Sequence, residues 1–304
     1  MVGGFGFIGQ HLLKCLSVSN SLVVLCRERR PARTELFSRQ TKPIVEIGDI
    51  TDETRVKEVV EKHQPEAVIH LAALTGVKRC EEAPSLAFSV NVEGTYNLTM
   101  ACVEHGCKLI FSSSREVYGE TKSGRTREDE PLIPNNIYGL TKMLGERIVT
   151  WASSKHNLDY TIMRLTNVYG PGGDNYNVQA MIRRALVERR IQIFGGSQMM
   201  NLVYVEDVAK IVARCLTDPR TSRQTFNVGS SDDLSVEDIV SKVVSLLDFP
   251  VKIERQPMRL GETLNFRPSL EKLQNTLGYN CPTGFATGLR KTVEWYKQHL
   301  GDTV

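Results

Sequence analysis

The chain has 304 residues, of which 41% are hydrophobic and 24% charged, and its formal net charge is +3. This balance is ordinary for a globular protein, and it gives no reason to expect a nucleic acid or a membrane surface as partner. No apolar run approaches the ~20 residues that span a bilayer. The seven scattered cysteines match neither a disulfide framework nor a metal site, so we expect a cytoplasmic protein with reduced thiols.

Short apolar strands alternate with amphipathic helices through the first two-thirds of the chain. Such alternation predicts the α/β class, with a Rossmann-like doubly wound parallel sheet covered by helices on both faces. The predicted strands are residues 22–26, 43–47, 67–71, 108–112 and 160–165, and the predicted helices are residues 7–16, 53–63, 84–105, 137–155 and 178–189.

The pattern loosens beyond about Gly170, where loops and short strands separate helices predicted at 205–216, 236–247 and 284–298. We therefore expect a first domain over residues 1–170. A smaller α/β lobe over residues 171–304 would follow, with the chain crossing between the two.

A glycine-rich turn, GGFGFIGQHLL, opens the chain and leads into an apolar helix. Glycines at such a turn let the backbone approach a pyrophosphate, which then lies at the helix N-terminus. The turn therefore predicts a dinucleotide site that includes Gly3, Gly6, Phe7, Ile8 and Gly9.

Only two residues precede this turn, although a strand of ~5 residues normally leads into it. That strand lies centrally in a doubly wound sheet and pairs on both sides. We therefore expect that a short apolar segment precedes Met1 in the natural protein.

The end of the second predicted strand bears on the choice between NAD and NADP. An acidic residue there would bind the ribose hydroxyls of NAD, but Cys26 stands at this point. Arg27 follows it and suits the 2′-phosphate of NADP, whereas Glu28 could bind the ribose diol of NAD. The sequence thus predicts NAD or NADP, with Arg27 favouring NADP.

Two later strand ends complete the expected cofactor site. GDI follows the third predicted strand, where Asp49 could hydrogen-bond the adenine amine beside Ile50. HLAAL ends the fourth, where small side chains let the backbone approach the cofactor. The residues expected to line it there are Leu71, Ala72 and Ala73.

The segment YGLTK places Tyr138 and Lys142 four residues apart in a predicted helix, so that both point the same way. A lysine near a phenol favours the phenolate form. A phenolate near neutral pH is a usable base for an alcohol or sugar hydroxyl.

Together these motifs resemble those of the extended short-chain dehydrogenases/reductases of the nucleotide-sugar epimerase/dehydratase family. The resemblance spans nearly the whole chain. It rests on the glycine turn, GDI, HLAA, NVEGT (91–95), SSSREVYG (112–119), YGLTK (138–142), RLTNVYGPG (164–172), LVYVEDVA (202–209) and RLGE (259–262).

The resemblance implies that Ser114 hydrogen-bonds the sugar hydroxyl that is oxidised, that Tyr138 takes its proton, and that Lys142 binds the nicotinamide ribose. It further implies a nucleotide-diphosphate sugar as substrate and a homodimer formed by helices 84–105 and 137–155. The residues expected on the substrate side are Asn91, Ser113, Arg115, Asn167 and Arg259.

Arg115 and Glu116 leave the reaction open. Glu116 falls where the family's dehydratases keep a glutamate that removes the C5 proton, but Arg115 replaces the acid that usually precedes it and cannot donate a proton at neutral pH. The two could pair at the rim of an epimerase pocket, or Glu116 could be the C5 base of an atypical dehydratase. Alternatively, Arg115 could bind the carboxylate of a uronic acid.

The reaction expected first is 4-epimerisation by transient oxidation at C4. A dehydratase or decarboxylase, an NADPH-dependent keto-sugar reductase and a non-catalytic NAD(P)-binding protein are the alternatives. One departure bears on the substrate. Met200 and Asn201 stand where many relatives carry arginine and aspartate, and Arg183 or Arg184 could compensate for the missing diphosphate contact.

Overall fold

The structure is a computed structural model that describes residues 1–17, 20–28, 42–121, 124–173, 177–258 and 265–300. The chain folds into two compact units. The first comprises residues 1–119, 130–164 and 209–226, and the second comprises 120–129, 165–208 and 227–304. The chain therefore passes between the units more than once.

The first unit is built around a parallel sheet. Its strands are β1 (Val23–Cys26), β2 (Ile44–Ile47), β3 (Ala67–His70), β4 (Lys108–Ser114), β5 (Tyr160–Leu165) and β9 (Gln224–Val228). Strand β1 pairs in parallel with β2, and β3 pairs in parallel with β4 in a sheet ordered β3-β4-β5-β9.

Met1 and Val2 lie between the two groups of strands. Val2 forms parallel bridges to both Leu25 and His70. The Val2 N–H donates to the carbonyl of Ile69 at 2.9 Å, and the Leu25 N–H donates to the carbonyl of Met1 at 3.0 Å. These two residues thus continue the sheet where a first strand was predicted to be lacking, and the segment expected ahead of them stays a prediction.

The helices of the first unit cover this sheet. They are α1 (Phe7–Leu16), α2 (Glu53–His63), α3 (Val77–Glu82), α4 (Pro84–Phe88), α5 (Gly94–His105) and α6 (Ile137–His156). The predictions for α1, α2 and α6 are confirmed within one residue. Residues 84–105 are helical throughout, as predicted, but a π-helical turn at Ser89–Glu93 separates α4 from α5.

The second unit contains two small sheets. Strand β8 (Met199–Tyr204) pairs in parallel with β6 (Asn167–Tyr169) and antiparallel with β10 (Asp233–Ser235), while β7 (Arg190–Phe194) pairs in parallel with β11 (Lys252–Gln256). The described helices of this unit are α7 (Asn177–Glu188), α9 (Val236–Val244), α10 (Glu271–Leu277) and α11 (Phe285–Leu300). Helix α8 (Val205–Thr217) begins in this unit and continues in the first.

Each unit has its own apolar core. That of the first lies between the sheet and α2, α5 and α6, and includes Val68, Leu109 and Ile162. That of the second unit includes Ile191, Leu202 and Ile239. Within the described part of the chain, no helix is both long and apolar enough to cross a membrane.

Candidate active site

The glycine turn between Val2 and α1 is closely packed. Gly3 has φ +78°, a conformation that favours glycine, and a Cβ there would lie 2.8 Å from the backbone nitrogen of Ala72. A Cβ at Gly9 would overlap the backbone of Gly4. Helix α1 starts after Gly6, without a capping side chain and without an acidic residue in its first turn. This cradle of bare backbone fits a pyrophosphate.

Phe7 and Ile8 fall at the start of α1, where Phe7 is buried and Ile8 half-buried. The loop HLAAL lies against the glycine turn, since a Cβ at Gly3 would meet the backbone of Ala72. Its approach to a cofactor stays a prediction. Leu71, Ala72 and Ala73 are all half-buried.

The expected adenine-side residues follow β1 and β2. Cys26 ends β1, and Arg27 and Glu28 are both exposed directly after it. One oxygen of Asp49 accepts hydrogen bonds from the Thr51 N–H at 3.0 Å and the Thr51 hydroxyl at 2.9 Å. The side chain of Ile50 is buried in the core, so only its backbone remains for a cofactor contact.

Ser114 is the last residue of β4. Its Oγ accepts a hydrogen bond from the Glu116 N–H at 3.2 Å and thereby caps a short 3₁₀ turn over Arg115–Val117. The sheet ends here, so the Ser114 hydroxyl lies at the carboxyl edge of the parallel strands, where α/β sheets bind their ligands.

Tyr138 and Lys142 lie in the first two turns of α6. The helix is capped by Asn136, whose side-chain oxygen accepts from the Gly139 N–H at 2.8 Å. A Cβ at Gly139 would overlap the carbonyl of Glu116, so the helix packs directly on the 3₁₀ turn. Tyr138 is half-buried and packs against the cluster Leu74, Cys80 and Ala87.

Lys142 is 3% exposed, and its Nζ lies 4.4 Å from the ring centroid of Phe111 on β4. Burial lowers the pKa of Lys142 to about 8, because a charged ammonium is poorly solvated there. Among the described residues no side chain or carbonyl accepts a hydrogen bond from this Nζ. A buried donor with this environment fits the hydroxyls of a bound ribose.

Arg115 and Glu116 are paired. The Nη2 of Arg115 lies 2.8 Å from Oε1 of Glu116, and Oε2 of the same carboxylate accepts from Nδ2 of Asn136 at 3.0 Å. The ion pair that was one of the three interpretations of this sequence is therefore present.

Asn91 and Ser113 were expected on the substrate side, but their polar atoms bond to the protein itself. The Asn91 oxygen accepts from the Leu74 N–H at 2.7 Å, and its Nδ2 donates to the Leu74 carbonyl and the Thr141 hydroxyl, both at 3.0 Å. Asn91 thus ties the loop after β3 to α6. The Ser113 hydroxyl donates to Glu146 at 2.5 Å.

Sequence reasoning missed a buried network around Glu146. Arg164 on β5 donates to Glu146 through Nε and Nη2, at distances of 2.8 to 3.2 Å, and to the hydroxyl of Tyr118 at 2.7 Å. The network joins β4, β5, α6 and the segment after the 3₁₀ turn. Glu146 stands four residues after Lys142, so its place on the same helix face was a signal that could have found it.

His70 was also missed. Its Nε2 lies 2.9 Å from the Thr95 hydroxyl, and burial together with the charge of Lys142 lowers its pKa to about 3. The imidazole is therefore neutral at physiological pH. Nothing in HLAAL alone distinguishes this histidine from a core residue.

In the second unit, Nδ2 of Asn167 donates to the carbonyl of Asn201 at 3.3 Å. Asn201 is buried, and its side chain bonds to both the N–H and the carbonyl of Ser230 at 3.0 and 2.8 Å. Met200 packs on the core of this unit. Arg183 and Arg184 are exposed, and Arg259 lies outside the described residues.

Three features together define a dinucleotide-dependent enzyme of the short-chain dehydrogenase/reductase class. They are the parallel sheet covered by helices, the glycine turn against the loop after β3, and the helix that carries tyrosine and lysine one turn apart. Residues 1–229 match the model of the NAD dependent epimerase/dehydratase family. The chain belongs to this family, and it is an NAD(P)-dependent nucleotide-sugar epimerase/dehydratase.

Similar proteins cover nearly the full length of the chain. A UDP-glucose 4-epimerase of Mycolicibacterium smegmatis is 31% identical, over 98% of this chain and 97% of its own length. A UDP-N-acetyl-alpha-D-glucosaminuronate decarboxylase of Bacillus cytotoxicus is 27% identical, over 99% and 98%. The solved UDP-glucose 4-epimerase of Thermus thermophilus, in complex with NAD, has a TM-score of 0.89 at 26% identity and covers 97% of each chain.

Proposed function

We propose that the protein is a nucleotide-sugar 4-epimerase that acts through transient oxidation at C4 of the sugar. The observation that carries this proposal is that Arg115 and Asn136 bind the Glu116 carboxylate. The serine, tyrosine and lysine that the family uses to oxidise a hydroxyl are all present. Such a site can remove a hydroxyl proton but lacks a free base for C5. The similarity to UDP-glucose 4-epimerases supports the same reaction.

Each residue of the set has a role that its position allows. The Ser114 hydroxyl binds the C4 hydroxyl of the sugar at the edge of the sheet. The Tyr138 phenolate accepts the proton of that hydroxyl and later returns it. The Lys142 ammonium favours the phenolate and holds the ribose of the cofactor.

The glycine turn would hold the dinucleotide, which would supply the reversible hydride transfer at C4. We infer that the cofactor is NAD or NADP and that Arg27 favours NADP. The Thermus thermophilus relative was solved with NAD, which supports NAD for this chain as well. Glu28, exposed beside Arg27, is the residue that would favour NAD.

We also infer a homodimer formed through α4, α5 and α6. These helices leave large apolar side chains exposed, namely Leu86 at 46%, Tyr96 at 43% and Trp151 at 43%. Exposed aromatic side chains of this size are typical of protein interfaces. Light scattering at micromolar concentration should give about twice the chain mass of 34.1 kDa, and a monomer mass would refute the dimer.

Product analysis tests the proposed reaction. The protein is incubated with UDP-glucose, UDP-glucuronic acid, GDP-mannose, a CDP-sugar and dTDP-glucose, without added cofactor, and the products are followed by proton NMR. We expect a C4 epimer of one of these sugars and no loss of water or CO₂. A 4-keto-6-deoxy product would indicate a dehydratase and a pentose product a decarboxylase, and either would refute the epimerase.

A further inference from the structure

The side chains of Arg115, Glu116 and Asn136 form a compact cluster directly beside Ser114. Oε1 of Glu116 receives the Arg115 guanidinium at 2.8 Å, and Oε2 receives the Asn136 amide at 3.0 Å. The Arg115 and Glu116 side chains are only 14% and 12% exposed. Both oxygens of the carboxylate are therefore bound by donors, and its charge is neutralised in a largely dry environment.

Asn136 connects this carboxylate to the helix of the catalytic tyrosine. Its Nδ2 donates to Oε2 of Glu116 and to Oδ1 of Asn135, both at 3.0 Å, while its Oδ1 accepts from the Gly139 N–H at 2.8 Å and caps α6. An amide that donates through its nitrogen has a defined direction for its oxygen. Glu116, together with Asn135, thus orients the capping residue, which lies two positions before Tyr138.

The chemistry at C5 explains why this arrangement affects the product. Once C4 is a ketone, a base can take the C5 proton, and the electron pair of the C5–H bond moves into the carbonyl as an enolate. If Glu116 took that proton it would become neutral and would lose its ion pair with the Arg115 guanidinium. A charge-assisted hydrogen bond of this kind is stronger than one between neutral groups, so the pair opposes the transfer.

We propose that Arg115 is a specificity-determining residue that keeps Glu116 from acting as a base at C5. Glu116 is then a positioning residue, which acts on the Tyr138 helix through Asn136. This inference rests on the proposed function, since it assumes that the enzyme oxidises C4.

Deuterium at C5 tests the part played by Arg115. Wild type, Arg115→Met, the double variant Arg115→Met/Glu116→Gln and the control Arg290→Met are incubated in D₂O with the sugar nucleotide that product analysis identifies as the substrate. Arg290 is an exposed arginine on α11, so its loss should change nothing. We expect deuterium at C5 only with Arg115→Met, because the double variant has again lost the base. Deuterium at C5 with wild type, or none with Arg115→Met, would overturn the proposal.

Hydrogen exchange of the free protein tests the part played by Glu116 and needs neither substrate nor cofactor. Exchange of the peptide covering residues 137–142 should become at least several-fold faster in Glu116→Ala. Glu116→Gln, which still accepts from Asn136, should restore slow exchange. Unchanged exchange in Glu116→Ala would overturn the positioning role. The absence of an epimer in every NMR spectrum would refute the proposed function instead, and the exchange rates would still decide this point.

Discussion

Lys142 lies one helical turn after the candidate base, Tyr138, and its burial makes its charged form unfavourable. It is held in the interior with a pKa of about 8, below its ordinary value of 10.5. The free protein must therefore accommodate a poorly solvated ammonium at neutral pH. In the proposed reaction, the same ammonium stabilises the phenolate of Tyr138 and the ribose hydroxyls, so the penalty in the free state favours binding of the cofactor.

This penalty predicts a pH-dependent effect of Lys142→Met on stability. Below about pH 8 the lysine is protonated both folded and unfolded, and its burial costs about 3 kcal/mol at 1.36 kcal/mol per pKa unit. Between pH 8 and 10.5 the folded lysine is neutral while the unfolded one still binds a proton, so wild type gains stability as the pH rises. Urea unfolding should thus show the variant to be the more stable protein at pH 7, with the gap closing towards pH 10.5.

A constant difference between the two proteins from pH 7 to 10.5 would mean that Lys142 is not charged in a dry environment. Cofactor titration adds a second readout, because Lys142→Met should weaken cofactor binding through loss of the ribose contact. The same titration on Arg290→Met is the control.

Tyr138→Phe removes only a hydroxyl from a half-buried ring. The fold and cofactor binding should remain, while turnover should fall by ~10²–10⁴, the usual contribution of a positioned acid–base group. Steady-state rates with the sugar identified by product analysis measure the loss. A variant that keeps near-normal turnover would exclude Tyr138 from the mechanism.

At the scale of elements, the site depends on how α6 is fastened to β4 and β5. The buried Glu146 carboxylate accepts from Arg164 and Ser113, and these two residues stand on the strands on which the helix packs. Both partners of the ion pair are at most 7% exposed. The network thereby fixes the register between the helix that carries Tyr138 and Lys142 and the strand that carries Ser114.

Arg164→Met should therefore destabilise the protein by roughly 3–5 kcal/mol, because it removes the ion-pair partner that donates hydrogen bonds to the buried Glu146 carboxylate. The matched control is Arg220→Met, which removes a pair with Asp218 whose arginine is 62% exposed. Exposed pairs contribute only ~0–1 kcal/mol. Equal losses for the two variants in urea unfolding would contradict the structural role of the network.

Sequence patterns predicted the elements better than the contacts between them. The alternation of apolar and polar residues placed β5, α1 and α2 at their observed bounds. It could not reveal the π turn inside residues 84–105, because that turn coincides with Asn91, which bonds to Leu74, 17 positions away in the chain. Similarly, the sequence could not show that Ser113 and Ser114 have different roles. Because side chains alternate along β4, the Ser113 hydroxyl donates to Glu146 and the Ser114 hydroxyl lies at the end of the sheet.

At the scale of the whole molecule, the two units have distinct chemistry. The first contains the glycine turn, Ser114, Tyr138 and Lys142, whereas the second contains Asn167 and Asn201. Asn201 stands where the family resemblance predicts an aspartate. Its amide donates to the Ser230 carbonyl and to Asp233 at 2.9 Å, and a carboxylate could not make these bonds.

The choice of cofactor is a property of the whole enzyme that the first unit should determine. Because Cys26 stands in place of an acidic residue, no carboxylate there repels the 2′-phosphate of NADP. The guanidinium of Arg27, beside it, attracts that phosphate. We expect calorimetric titration to give NADP a Kd equal to or lower than that of NAD, and Arg27→Met to weaken NADP selectively. A clear preference of wild type for NAD would mean that Glu28 binds the ribose diol.

The most direct test of the proposed mechanism follows one hydrogen. UDP-glucose, or the sugar nucleotide identified by product analysis, is labelled with deuterium at C4 and incubated with the enzyme in ordinary water without added cofactor. If C4 is oxidised and reduced again within one binding event, the epimer should keep its deuterium at C4. An epimer that has lost this label to solvent, or a reaction that proceeds only while NADPH is consumed, would contradict transient oxidation by a retained cofactor.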